Sequence, residues 1–264
     1  MPEALDTAVI SYKRALDLIL MDRKVTVDFL KIAAIGLTMQ FLTIAIAIGV
    51  AFMWESAGAQ SGLAMIGAII LLALVVFVFC IANGAISASA YNVVDEKTKG
   101  KGIKILEKAK ALLIPIAVYT LLILGLLVTV FILPLAVTMI SADAGAILAP
   151  LLFLALAAGF IAFLFLTQQS IALIALEGKG AMESFRRSYS LVRGNLGAFI
   201  FFDMILIFIL VVEMVGAAML QGALGLLGDS LIILPFMVII SLADAVIRMI
   251  FIVPPAYFLW KQLK

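Results

Sequence analysis

Six long apolar runs divide the sequence, and they constrain the fold more than any other feature. Each is long enough to supply the roughly 20 apolar residues that a helix needs to cross a bilayer. The runs are Ile32–Trp54, Leu63–Tyr91, Leu112–Ile140, Ile147–Leu176, Ala198–Leu220 and Leu231–Trp260. With 66% hydrophobic and 13% charged residues, the composition excludes a soluble enzyme, a nucleic-acid-binding module and a disordered regulator. The sequence predicts an all-α polytopic bundle of six transmembrane helices, forming one membrane domain over residues 1–264.

Basic residues are sorted to one side of the predicted spans. Every lysine and arginine except Arg248 lies within residues 13–31, 97–110, 179–193 or 261–264. The three intervening connections are short and contain no lysine or arginine: Glu55–Gly62, Ser141–Ala146 and Gln221–Ser230. Because basic residues concentrate in cytoplasmic loops, this distribution predicts a multi-pass protein of the cell membrane with both termini in the cytoplasm.

An internal repeat links the basic segments. Ser11–Ile19 (SYKRALDLI) aligns with Ser184–Val192 (SFRRSYSLV), and the tripeptide GKG occurs at residues 100–102 and again at 178–180. After the first GKG, the sequence IKILEKAKALLI places Lys108 where Arg186 lies in the last copy. We therefore expect three parallel repeats, 1–94, 95–176 and 177–264, each consisting of an amphipathic cytoplasmic helix followed by two spans.

The three amphipathic helices are predicted to lie in the membrane interface. Apolar residues recur at helical spacing in two of them: Leu5, Val9, Tyr12, Leu16 and Ile19 in the first, and Met182, Phe185, Tyr189 and Val192 in the third. Basic residues border these faces: Lys13, Arg14, Lys108, Arg186, Arg187 and Arg193. Two interpretations remain open. In the first, the basic side chains bind lipid headgroups, anionic ones in particular. In the second, the helices only pack against the cytoplasmic side of the bundle, and their basic residues reflect the positive-inside rule.

The segment Glu177–Asn195 (EGKGAMESFRRSYSLVRGN), followed by an apolar span, resembles a segment that recurs in a prokaryotic group of six-span membrane proteins. This group includes YciC-like proteins and the membrane domain of some glycerophosphodiester phosphodiesterases, and most of its members have no known function. The resemblance implies a six-span architecture. It implies neither an activity nor site residues, because the soluble phosphodiesterase domain is absent from this sequence.

Charged residues inside the last two spans need an explanation, since each costs about 2.5–3.5 kcal/mol on insertion scales. Asp244 and Arg248 are one helical turn apart, and Glu213 is predicted to lie at nearly the depth of Asp244 on the neighbouring span. The predicted cluster acts either as a proton or ion relay or as a buried clamp that fixes helix packing. Among neutral polar residues, Gln40, Asn83 and the segment 167–170 are predicted to bridge helices or line a cytoplasmic cavity.

No pattern in the sequence indicates catalysis. The chain has no histidine and one cysteine, Cys80, so the usual ligands of zinc or haem are missing, and we expect neither a metal site nor another cofactor. We therefore expect a non-enzymatic protein that binds or organises lipids or other membrane proteins through its basic cytoplasmic residues. Its expected partners are membrane lipids, another membrane protein or a second copy, and not nucleic acid. The alternative is a small-solute or ion transporter or channel whose pathway passes Glu213, Asp244 and Arg248.

Overall fold

The computed structural model describes residues 2–56, 62–140, 142–225 and 233–264. Parts of the three predicted non-cytoplasmic connections, at 57–61, 141 and 226–232, lie outside the described residues. The described chain is helical and contains no strand. Its helices are α1 (Pro2–Met21), α2 (Arg23–Ser56), α3 (Gly62–Thr98), α4 (Ile105–Ile140), α5 (Ala142–Leu166), α6 (Ser170–Glu177), α7 (Ala181–Gly194), α8 (Leu196–Gly225) and α9 (Ile233–Leu263).

Within the described ranges, six helical segments are long and apolar enough to cross a membrane, which confirms the predicted number of spans. They are Arg23–Val50, Ile70–Thr98, Ile105–Met139, Ala146–Glu177, Leu196–Leu220 and Phe236–Leu263. The chain is therefore a multi-pass integral membrane protein.

The second amphipathic helix does not form as a separate element, so that part of the prediction is wrong. Its residues are the first turns of α4, which continues to Ile140. The other two helices end at an Asx residue: the Asp22 carboxylate accepts a 2.9 Å bond from the Lys24 backbone N–H, and Asn195 Nδ2 donates to the Leu191 carbonyl at 3.0 Å. Asp22 and Asn195 align in the predicted repeats, and the corresponding residue of α4 is Ala117. Alanine favours helix and offers no capping group, so the helix continues.

The described chain divides into two compact units, one formed by Met1–Leu113 with Gly197–Lys264 and the other by Ile114–Leu196. Neither unit coincides with a predicted repeat. The repeat boundaries, like the single domain of residues 1–264, stay predictions.

The larger unit is held together where α1 packs against α9 and the start of α8. The Tyr12 ring stacks on Phe202 with 5.2 Å between ring centroids, and Gln262 Nε2 donates a 2.9 Å hydrogen bond to Ser11 Oγ. Burial, with a smaller contribution from Asp203, raises the pKa of Tyr12. A Cβ on Gly197 would lie 3.2 Å from the Ala4 Cβ, so glycine allows α8 to begin close to α1.

Polar contacts join the start of α2 to the ends of α3 and α9, which are the ends nearest the basic segments. Tyr257 of α9 donates a 3.0 Å hydrogen bond to Asp95 Oδ1 of α3. Lys97 of α3 forms a 3.3 Å ion pair with Asp28 of α2, and both side chains are almost buried. Because the pair is shielded from solvent, it specifies how α2 and α3 meet at this end.

The smaller unit contains a break in the fourth span. A turn at residues 167–169 separates α5 from α6, and Gly178 then adopts a left-handed conformation (φ 64°) that ends α6. The chain reverses through residues 178–180 into α7, which packs against α5 and α6. Phe185 of α7 stacks on Tyr119 of α4 and contacts Phe163 of α5, with centroid separations of 5.1 and 5.3 Å.

Candidate functional site

Helix α1 presents three different strips. Its buried strip consists of small and polar residues with one aromatic: Ala8, Ser11, Tyr12 and Ala15. Most of the predicted apolar face is exposed, namely Leu5, Val9 and Leu16, whereas Tyr12 of that face is buried. The third strip is charged and includes Lys13, Arg14 and Asp17, all exposed. In α1 the leucine and valine side chains thus lie beside the charged residues, outside the packed core.

Helix α7 has buried residues at the positions that align with the buried residues of α1. Its buried residues are Ala181, Ser184, Phe185, Ser188 and Val192, of which the first four align with the buried residues of α1. Met182 and Tyr189, which belong to the predicted apolar face, are exposed. Small residues allow close helix approach, so in both helices they dominate the packed strip, and several of the larger apolar side chains point away from it.

Three of the six predicted basic residues are exposed and form no ion pair with the described residues: Lys13, Arg14 and Arg186. The other three have partners within the protein. Arg187 pairs with Glu177 at 3.1 Å, Lys108 pairs with Glu96 at 3.4 Å, and Arg193 donates to the Tyr189 hydroxyl at 3.3 Å.

The sequence reasoning missed the two acidic partners. Glu177 immediately precedes the GKG tripeptide at residues 178–180, and Glu96 is the last acid before the tripeptide at 100–102, from which it is separated by three residues. That placement is the signal that would have identified them. The paired residues Arg187 and Lys108 are consequently less available to an external ligand than Arg186.

A cleft of about 440 Å³ lies between α5 and α7. Its lining is Gly159, Ala162, Phe163, Leu166, Thr167, Phe185, Arg186 and Tyr189. The α5 wall is mainly apolar, and the α7 side includes Arg186 and Tyr189. Such a cleft offers apolar surface for a hydrocarbon chain and a cationic group for a negatively charged head on one ligand.

Buried polar contacts connect the turn after α5, and the α6 helix that follows it, to α7. The Gln169 backbone N–H donates to Ser188 Oγ at 3.1 Å, and Ser188 Oγ donates to the Leu166 carbonyl at 3.3 Å. Ser170 Oγ adds a longer bond of 3.5 Å to the Ser184 carbonyl. In this segment the predicted polar residues bridge α6 to α7 and satisfy the backbone where the fourth span is broken. These contacts hold α7 in place, and with it Arg186.

The structure brings Glu213, Asp244 and Arg248 together across α8 and α9. Arg248 Nε lies 3.1 Å from Asp244 Oδ2, and its Nε and Nη2 each donate to Glu213 Oε1 at 3.4 Å. The Arg248 side chain is 50% exposed, whereas that of Glu213 is 10% exposed. Both interpretations of the cluster, the proton or ion relay and the buried clamp, stay predictions.

The two acids of the cluster also line a cleft between α8 and α9 with a volume of about 710 Å³. Its other lining residues are apolar: Phe208, Ile209, Val212, Gly216, Ala217, Leu220, Ile239, Ile240, Ala243, Ile247 and Phe251. Arg248 is not among the lining residues. A smaller cleft of about 330 Å³ between α2 and α3 contains the predicted polar residues Gln40 and Asn83.

No group of three or more His, Cys, Asp or Glu residues suitable for a metal ion occurs within the described ranges.

Comparison with known families identifies a match: residues 78–258 match DUF7847, a domain of unknown function. The match covers more than half of the chain, which therefore belongs to this family. Neither a curated protein nor a solved structure matches the chain.

Proposed function

We propose that this DUF7847 member is a non-enzymatic protein of the cell membrane that binds anionic lipids at the cytoplasmic leaflet, with both of its termini in the cytoplasm. The observation that carries the proposal is the cleft between α5 and α7, where Arg186 stands at the edge of an apolar wall. An anionic lipid has the matching distribution of chemistry, since its phosphate is negative and its acyl chain is apolar.

Arg186 is suited to a phosphate because it forms no ion pair with the described residues and is exposed. A guanidinium presents several N–H donors in a fork that matches phosphate oxygens. Tyr189 also lines the cleft, and its hydroxyl accepts a hydrogen bond from Arg193. The acyl chain would lie along Gly159, Ala162 and Leu166, where glycine and alanine leave room against α5.

Helix α1 supports the same assignment independently. Its exposed Leu5, Val9 and Leu16 lie beside Lys13, so one side of the helix is apolar and the adjacent side is charged. A helix with this arrangement lies in the plane of the interface, with its apolar side chains in the acyl region. A basic residue near an anionic membrane surface contributes about 1 kcal/mol of attraction.

The repeat forms part of this proposal. Four aligned positions are buried in both α1 and α7, and Asp22 aligns with Asn195 where each helix ends. The two helices would thus be copies of one interfacial element, and the start of α4 would be a third copy fused to its span. The resemblance of Glu177–Asn195 to YciC-like proteins and to phosphodiesterase membrane domains likewise remains a proposal.

The test compares lipids of different charge on purified protein in detergent. Adding phosphatidylglycerol should raise the melting temperature more than adding phosphatidylcholine of the same chain length. Arg186→Gln should weaken the phosphatidylglycerol effect, with a five- to tenfold loss of affinity corresponding to about 1 kcal/mol. Lys101→Gln is the matched control, because it removes the same charge from an exposed position in the segment between α3 and α4. Equal stabilisation by the two lipids, or an unchanged response in Arg186→Gln, would refute lipid recognition at this cleft.

Transport of a small solute or ion is the second candidate function. It is supported by the surface position of Arg248 and by the cleft that reaches Glu213 and Asp244. Uptake of a radiolabelled solute panel into vesicles containing the protein tests it. Transport that is lost in Glu213→Gln would favour this candidate over lipid binding.

A further inference from the structure

The cleft between α8 and α9 has the size and lining of a small-molecule site. Its volume of about 710 Å³ falls within the range of about 300–1,000 Å³ that is typical of ligand pockets. Among the described residues that line it, Glu213 and Asp244 are the charged ones and the rest are apolar. A mostly apolar cleft with a few polar groups is the arrangement that binds and orients a drug-sized ligand.

The charges of the cluster are not balanced. Two carboxylates share one guanidinium, so the cluster carries one net negative charge when all three groups are ionised. The hydrogen bonds from Arg248 to Glu213 all end on Oε1, and the guanidinium does not line the cleft. Both acidic residues are therefore part of the lining of the cleft, whereas Arg248 is not.

An uncompensated charge at this depth of a membrane protein is unfavourable, because hydrocarbon does not solvate it. A monovalent cation bound beside Glu213 and Asp244 would balance the cluster. The apolar walls favour a cation whose charge is surrounded by hydrocarbon or aromatic groups. Phe208 and Phe251 also line the cleft, and aromatic rings attract such cations through their faces.

We propose that the cleft between α8 and α9 binds lipophilic monovalent cations, such as quaternary ammonium or phosphonium compounds, with the charged centre beside Glu213 and Asp244. The site is separate from the proposed lipid site at Arg186, and the proposal requires no transport. Gly216 lies on the cleft wall, and a Cβ at that position would meet no atom within 4 Å. A larger side chain there would enter the cleft and occupy the space of a ligand.

The test uses two probes of nearly equal size and opposite charge, tetraphenylphosphonium and tetraphenylborate, with the full chain in detergent. Calorimetric titration should show saturable binding of the cation at least tenfold tighter than binding of the anion. Glu213→Gln should weaken cation binding at least tenfold. Asp17→Asn removes the same charge from an exposed position of α1 and should leave the binding unchanged.

A second variant keeps the proposal testable if Glu213→Gln fails to fold. Gly216→Leu retains every charged group and should abolish cation binding by filling the cleft. Arg186→Gln should bind the cation as the unaltered protein does, which separates this site from the lipid site. Equal binding of the two probes, or full binding by Gly216→Leu, would overturn the proposal. A dimer that Gly216→Leu converts to monomer would also overturn it, by assigning the cleft to a second copy of the chain.

Discussion

Gln262, near the end of α9, donates a 2.9 Å hydrogen bond to Ser11 Oγ, which in turn donates to the Thr7 carbonyl at 2.8 Å. Ser11 is fully buried, so this contact joins residues from opposite ends of the chain inside the larger unit. The aligned residue Ser184 is also fully buried in the smaller unit, where α7 packs on α6. Helices α1 and α7 are thus each held by a buried strip of small and polar residues, and their remaining strips are left for other contacts.

Removing the Ser188 hydroxyl should destabilise the protein. Ser188→Ala leaves the Gln169 N–H and the Leu166 carbonyl without this partner in a buried position, which costs about 1–3 kcal/mol. Ser190→Ala is the matched control, since Ser190 is exposed on the same helix. Thermal unfolding in detergent should show a lower melting temperature for Ser188→Ala alone. Equal melting temperatures would contradict a structural role for these contacts.

The turn before α7 should depend on glycine at one position and not at the other. Gly178 has a φ of 64°, so Gly178→Ala should cost about 1–2 kcal/mol because a Cβ disfavours the left-handed region. Gly180 has a φ of −66°, and a methyl group added there would meet no atom within 4 Å, so Gly180→Ala should be nearly neutral. Melting temperatures of the two variants in the same detergent measure the difference. A neutral Gly178→Ala would show that the left-handed turn is not required.

The ion cluster should show energetic coupling. Glu213→Gln and Arg248→Gln each leave charged partners incompletely paired, so the double variant should lose less stability than the sum of the single losses. Contacting residues couple by about 0.5–3 kcal/mol, and the exposed Arg248 places this cluster near the lower value. A double-mutant cycle of unfolding free energies measures the coupling. Strictly additive losses would mean that Arg248 and Glu213 do not interact.

Membrane orientation is tested by single-cysteine labelling in a Cys80→Ala background. Lys101→Cys should react with an impermeant maleimide only after the membrane is permeabilised, because residue 101 is predicted to be cytoplasmic. Ser61→Cys, in a predicted external connection that lies outside the described residues, should react in intact cells. Labelling of both positions in intact cells would contradict the orientation.

The spans could be predicted from the sequence because length and hydropathy are sufficient to define a membrane-crossing helix. The approach of Glu213 to Asp244 and Arg248 follows from similar reasoning, since the rise per residue fixes depth on neighbouring antiparallel helices. Both inferences depend on distance along a helix axis. The sequence specifies that distance well.

The packed faces of α1 and α7 were harder to predict. Helical periodicity locates an apolar strip, but it does not distinguish side chains that face protein from side chains that face lipid. The predicted apolar face of α1 does not include Ala8 and Ala15, although these are among the residues that pack on the protein. The prediction of a separate second helix is wrong for a similarly local reason: α4 continues through Ala117 to Ile140, and overall hydropathy does not show where one helix ends and the next begins.

The ion pair between Glu213 of α8 and Arg248 of α9 has a consequence for the insertion of these two helices into the bilayer. If a translocon released α8 alone, Glu213 would enter lipid without its arginine partner, at a cost of about 2.5–3.5 kcal/mol. Arg248 becomes available only after the ribosome has synthesised the first half of α9. The last two helices are therefore expected to leave the translocon together, as a preassembled hairpin.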